Sequence, residues 1–147
     1  MVLLECGEAP WRFLRSTPEL ASELRVADLE ADGRADLFTI VDGQWHVSKN
    51  GTESWQDLPM RDSTPLEKLR FGDFDKDRRT DVFRATGSAW QVSWGGVSAW
   101  TDLNTSSFIE SELVFADFDG DGSTDILRPD NLTVSWSGMT TWSLPLD

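Results

Sequence analysis

The sequence predicts an all-β chain built from repeated four-stranded units, and three observations carry that prediction. A nine-residue acidic motif occurs three times at nearly constant spacing. Short branched and aromatic stretches, the signature of strands, stand on both sides of every copy. A second motif, joining Val-Ser to a glycine and a tryptophan, follows each copy at a matching distance.

The acidic motif reads "DLEADGRAD" at 28–36, "DFDKDRRTD" at 73–81 and "DFDGDGSTD" at 117–125. Acids stand at loop positions one, three, five and nine: Asp28, Glu30, Asp32 and Asp36; Asp73, Asp75, Asp77 and Asp81; Asp117, Asp119, Asp121 and Asp125. Carboxylates packed this closely repel unless a cation lies among them. Alternate residues of a tight loop can point inward together, and a carbonyl at position seven with a further carboxylate completes an oxygen cage suited to calcium. Magnesium keeps more of its water, and transition metals prefer nitrogen or sulfur. The only histidine and cysteine, His46 and Cys6, lie away from the loops. A glycine at position six supplies the left-handed backbone of the turn in the first and third copies, whereas Arg78 stands there in the second. An EF-hand would need a twelve-residue loop between helices. Here "ELRVAD", "KLRFGD" and "ELVFAD" lead in, and "LFTI", "VFRA" and "ILRP" lead out, so each loop joins two strands.

The first ligand positions, Asp28, Asp73 and Asp117, are 45 and 44 residues apart. "QWHVSKNGTESWQDL" (44–58), "AWQVSWGGVSAWTDL" (89–103) and "LTVSWSGMTTWSL" (132–144) align behind them. Each unit then holds strand A before the loop, strand B after it, strand C through Val-Ser and strand D from Trp55, Trp100 or Trp142. Four short strands repeating every 40–50 residues describe a β-propeller blade. The expected blades span 24–68, 69–112 and 113–147. Residues 11–23 are expected to add a surplus strand D with its connector, because "WRFLRSTPELASELRVAD" (11–28) has the same length as "WTDLNTSSFIESELVFAD" (100–117). Small residues at the end of strand A, namely Ala27, Gly72 and Ala116, are expected to let a neighbouring blade approach. The third unit departs from the others, with a B–C connection two residues shorter and Leu132 in place of Trp45 and Trp90. Three blades do not close a ring. The chain is therefore expected to be part of a longer propeller or to complete one as a homo-oligomer, with two chains supplying six blades.

Of the 147 residues, 26 are acidic and twelve of these are the loop carboxylates. Three bound calcium ions would bring the net charge from −13 to −7. An acidic surface of this kind repels phosphate and argues against a nucleic-acid partner. No apolar run is long enough to span a membrane. One cysteine allows no internal disulfide, and "MVLLECGEAP" lacks the pattern of a signal peptide.

The D-x-D-x-D-G-x-x-D loop between two strands resembles the FG-GAP and VCBS repeats of integrin α-chain propellers and of many exported proteins. The "W-x-V-S-x-x-G-x-x-x-W" pattern is similar to the repeats of fungal and bacterial propeller lectins. The likeness covers 24–147. It implies up to three calcium ions, held at positions one, three, five and nine with a carbonyl at seven from Arg34, Arg79 or Ser123. The third loop matches fully. The first departs at Glu30, which is one methylene longer than aspartate, and the second departs at Arg78.

Nothing in the sequence assembles a catalytic set: His46 aligns with Gln91 and Thr133 in ordinary repeat positions. The expected function is a non-catalytic, calcium-stabilised recognition module outside the cell or at its surface. Its expected partner is a glycan or a cell-surface protein, with glycan preferred. The alternatives are a structural or protein-adhesion propeller without a sugar site, and an accessory domain of a secreted hydrolase. The eight tryptophans divide between packing and ligand contact. Trp94 and Trp136 are the ligand candidates, because Lys49 stands at the same position in the first unit and a buried core position rarely accepts lysine. Asn50, Asn104 and Asn131 each begin an N-x-[ST] sequon.

Overall fold

The computed structural model describes residues 5–6, 9–10 and 23–144. The expected surplus strand over 11–23 lies outside these residues, save for its last position. A short antiparallel pair, β1 (Glu5–Cys6) and β2 (Ala9–Pro10), stands at the N-terminus. The described remainder contains no α-helix and forms three antiparallel sheets.

The first sheet runs in chain order through β3 (Arg25–Ala27), β4 (Asp36–Val41), β5 (Gln44–Ser48) and β6 (Gln56–Arg61). The second repeats it with β7 (Arg70–Gly72), β8 (Asp81–Ala85), β9 (Ala89–Ser93) and β10 (Thr101–Thr105). The third holds β11 (Val114–Ala116), β12 (Asp125–Arg128) and β13 (Thr133–Ser135). Its fourth strand is reduced to one bridge between Val134 and Ser143. In every unit the acidic loop joins the first two strands, and its ninth residue opens the second strand. The hairpin from β4 to β5 turns on Asp42 and Gly43, both with positive φ (49° and 76°), the geometry of the tightest hairpin turns.

Each sheet buries one face against the next. The first seam contains Leu29, Phe38, Trp45 and Val47 of the first blade with Leu66 of the turn that follows β6 and with Leu69 and Val82 of the second blade. The other contains Phe74, Phe83, Trp90 and Val92 of the second blade with Leu113 and Ile126 of the third. Alternation along the strands selects these sets. Trp45 and Trp90 are fully enclosed, as packing residues. Edge-to-face pairs repeat at both seams: Trp45 with Trp100 at 5.6 Å, and Trp90 with Trp142 at 5.5 Å.

The small residue at the end of the first strand does bring the next blade close. A Cβ on Gly72 would stand 2.5 Å from Thr124 Oγ1, in the acidic loop of the third blade. Thr124 N–H donates to the Asp73 carbonyl at 2.6 Å, and Asp73 N–H donates to Thr124 Oγ1 at 3.0 Å. Thr80 clasps Asp28 the same way, at 2.7 and 2.9 Å. Position eight of each of these two loops is therefore a clip onto position one of the loop before it.

Candidate metal centres

The three loops share one internal scaffold. The position-one carboxylate folds back over the turn: Asp28 accepts from the N–H groups of Asp32 and Gly33, Asp73 from Lys76 and Arg78, and Asp117 from Gly120, Asp121 and Gly122. The position-five carboxylates of Asp32, Asp77 and Asp121 accept from the N–H two residues on, at Arg34, Arg79 and Ser123. Positions four and six are left-handed in every copy, with φ of 60° and 79°, 66° and 72°, and 77° and 97°. Arg78 is one of these residues, so the second loop adopts the turn without its glycine, at a cost of roughly 1 kcal/mol.

The ninth residue is a brace. Asp36, Asp81 and Asp125 are almost fully buried. Asp81 Oδ2 accepts from Phe74 N–H at 2.9 Å, and its Oδ1 accepts from Gly95 N–H at 2.8 Å. Asp36 joins Leu29 to Asn50, and Asp125 joins Phe118 to Ser137, by the same pair of bonds. Each brace ties the acidic loop to a 3-10 turn after the third strand, at Lys49–Gly51, Trp94–Gly96 or Trp136–Gly138.

Carboxylate oxygens converge at two loops. One from each of Asp73, Asp75 and Asp81 lie within 4.8 Å of one another, as do those of Asp117, Asp119 and Asp125. Two oxygens on one calcium ion stand at most about 5 Å apart, twice the metal–oxygen distance, so each triad fits a single ion. Among the described residues, none of these six carboxylates forms an ion pair. Burial, with Asp77 and Asp73 nearby, raises the Asp75 carboxyl above its ordinary value. Burial, abetted by the charges of Asp75 and Asp77, pushes Asp81 up to about 6. Asp125 is raised by burial with Asp119 and Asp121 beside it. A divalent ion would hold all of them ionised.

The remaining expected ligands are placed differently. Asp77 and Asp121 lie outside the triads, and Asp121 Oδ2 is bonded to Lys76 Nζ at 2.6 Å across the second and third loops. That ammonium holds Asp121 down to about 2. Arg34 and Arg79 are exposed at position seven, while Ser123 is buried and donates its hydroxyl to Asp121. In the first loop no comparable triad forms among Asp28, Glu30, Asp32 and Asp36; Glu30 pairs instead with Lys49. Trp94 packs half-buried on the second seam. Trp136, also half-buried, donates its Nε1–H to Ser143 Oγ at 2.8 Å.

Residues 73–127 match the FG-GAP-like repeat. No curated protein matches the chain. The matched stretch opens on Asp73 and runs through the third loop into β12, so it contains both carboxylate triads. The clips of Thr80 and Thr124 went unread in the sequence, although "RRTD" and "GSTD" against "GRAD" displayed them. A cleft of about 420 Å³ between the first two blades also went unread. Leu29, Val47, Leu58 and Val97 supply apolar lining, and Lys49, Glu30, Gln56, Asp57 and Arg79 supply polar groups.

Proposed function

We propose that the chain is a non-catalytic, calcium-stabilised propeller module that acts in recognition outside the cell or at its surface. The two convergent carboxylate triads carry this reading. Asp73, Asp75 and Asp81 would hold one ion, and Asp117, Asp119 and Asp125 a second. The ion's contribution is charge neutralisation. Asp73 also accepts the Thr124 clip, so an ion there stabilises a loop and the adjoining seam together. A ligand that binds only the folded state stabilises it by mass action. Chelation with EDTA should lower the melting temperature by several degrees. An unchanged melting curve would sink the metal reading.

FG-GAP-like repeats in general mediate protein or glycan interactions. For this chain we favour a glycan. The cleft between the first two blades offers apolar lining with several hydrogen-bonding groups, as a sugar requires. Trp136 remains a candidate contact, and Trp94 is a weaker one because it packs on a seam. Glycan-array binding that persists with calcium but is lost in Trp136→Ala or Gln56→Ala would support this reading. Retention in both variants would move the ligand elsewhere.

The third blade favours assembly. Phe118 and Leu132 are 41% and 60% exposed where their counterparts Phe74 and Trp90 are buried. A further blade, supplied by a second copy, would cover this face. Sedimentation should show a dimer, and a monodisperse monomer would refute this part of the reading.

A further inference from the structure

We infer that the first acidic loop is held by an internal lysine–glutamate pair in place of a metal ion, so that the chain holds two calcium ions rather than three. The inference rests on the metal reading of the other two loops. Two departures from the repeat meet in space. At loop position three, Glu30 replaces the aspartate found at Asp75 and Asp119. At the first residue of the 3-10 turn, Lys49 replaces the tryptophan found at Trp94 and Trp136. The Asp36 brace, through Leu29 N–H and Asn50 N–H, sets that turn over the loop, and Lys49 Nζ pairs with Glu30 Oε1.

The chemistry of the exchange is consistent. Glutamate's extra methylene carries its carboxylate out of the loop to the lysine rather than in toward a shared centre. The aspartates of the other loops have no cation beside them on their own blade at the turn position, since tryptophan is uncharged. Asp36, the buried carboxylate of the same loop, accepts from Asn50 N–H beside Lys49, so the lysine is anchored over the loop whose Glu30 it pairs with. The first loop accordingly forms no group of three converging carboxylates, whereas the other two loops do. The consequence is an uneven response to chelation. The first loop keeps its ammonium in EDTA, whereas the triads of the second and third lose their ions; Lys76 stays on Asp121, outside the third triad.

Calcium binding to the whole chain by equilibrium dialysis tests this, together with melting curves and amide exchange in EDTA. Wild type should bind two ions. Asp28→Ala should still bind two, and Asp73→Ala or Asp117→Ala should bind one. Amide protection over 28–36 should be unchanged by EDTA while protection over 73–81 and 117–125 falls. Lys49→Met should melt roughly 2 °C below wild type in EDTA, as expected for loss of one partly exposed ion pair. Three ions in wild type, or Asp28→Ala losing one, would overturn the inference. So would Lys49→Met melting like wild type in EDTA. No ion bound to wild type would instead defeat the metal reading, and the EDTA melting of Lys49→Met would still decide whether the lysine holds the loop.

Discussion

The two seams between blades are built to one plan and finished differently. Both stack a tryptophan of one blade edge-to-face on a tryptophan of the next. Both set an arginine over aromatic rings, Arg84 at 4.2 Å from Trp100 and Arg128 at 4.0 Å from Phe108. Both are clipped by a threonine at loop position eight. The first seam then departs. It has leucine where the second has Phe74, lysine where the second has Trp94, and Arg79 where the second has Ser123. The second seam fills with Phe74 and Trp94. The first leaves a cleft of about 420 Å³ lined by Leu29, Lys49 and Arg79. Large aromatic residues close a seam, and smaller or charged ones open it at no expense to the plan beneath.

The comparison is broken most severely at its tryptophans. Trp90→Ala should destabilise the chain by about 3–5 kcal/mol, because it removes the largest fully buried side chain of the second seam. The two positions separate when the ring is kept and the indole N–H removed. Trp90 Nε1–H donates to the Phe108 carbonyl at 2.9 Å, whereas Trp45 Nε1 is buried with no partner. Trp90→Phe should cost about 1 kcal/mol more than Trp45→Phe, since it alone strands an acceptor. Equal losses in denaturant titrations would show that volume, not bonding, distinguishes the two.

The next effect is one of pH. Asp81 at the second seam has its carboxyl raised from 3.8 to about 6 by burial. The protonated form is the one the calcium-free fold prefers, so its stabilisation is full below the unfolded value and is lost as pH rises through about 6. Asp75 and Asp125 shift in the same direction. In EDTA the chain should lose on the order of 2 kcal/mol between pH 4 and 7. Saturating calcium holds the carboxylates ionised and should flatten or reverse the trend. Stability in EDTA that rises with pH over this window would show that the triads carry no excess charge.

A smaller effect tests the clips. Ala27 already carries the methyl group that Gly72 lacks, at the matching place on the first seam. Gly72→Ala would press that methyl against Thr124 and should cost roughly 1–3 kcal/mol. Thr124→Val should cost about 1 kcal/mol by leaving Asp73 N–H without its acceptor. If Gly72→Ala melts like wild type, the second seam is looser than the first.

Much of this was legible in the sequence, for reasons that differ by feature. The blades followed from the 45- and 44-residue spacing and the alternation around Trp90 and Val92, because repeats and period-two patterns are local. The carboxylates of Asp73 and Asp117 were legible as candidate ligands because loop geometry is also local. The role of position nine was only half legible. A motif marks Asp81 as an acid, but its bond to Gly95 N–H crosses fourteen residues. The pairing of Glu30 with Lys49 was hidden for the same reason. Both departures were visible singly, and only the brace brings them together. The reduced fourth strand of the third blade could not be read at all, since Trp142 keeps the pattern of Trp55 and Trp100 while only Ser143 pairs.

The smallest effect concerns a lysine of the other kind. Lys49 serves its own loop, whereas Lys76 leaves the second loop to pair with Asp121 of the third at 2.6 Å. Asp121 is also bonded by Ser123, so the carboxylate is held away from the Asp117, Asp119 and Asp125 triad. An ion entering the third loop must share Asp121 with this ammonium or do without it. Both groups are substantially exposed, so the competition is mild and screened by salt. Lys76→Met should therefore tighten calcium binding at the third loop by about threefold at low salt, with the gain fading as salt rises. Calorimetry on Lys76→Met in an Asp73→Ala background isolates the third loop. Unchanged affinity would mean that Asp121 takes no part in holding the ion. Weakened affinity would mean that Lys76 orders the loop for calcium rather than competing with it.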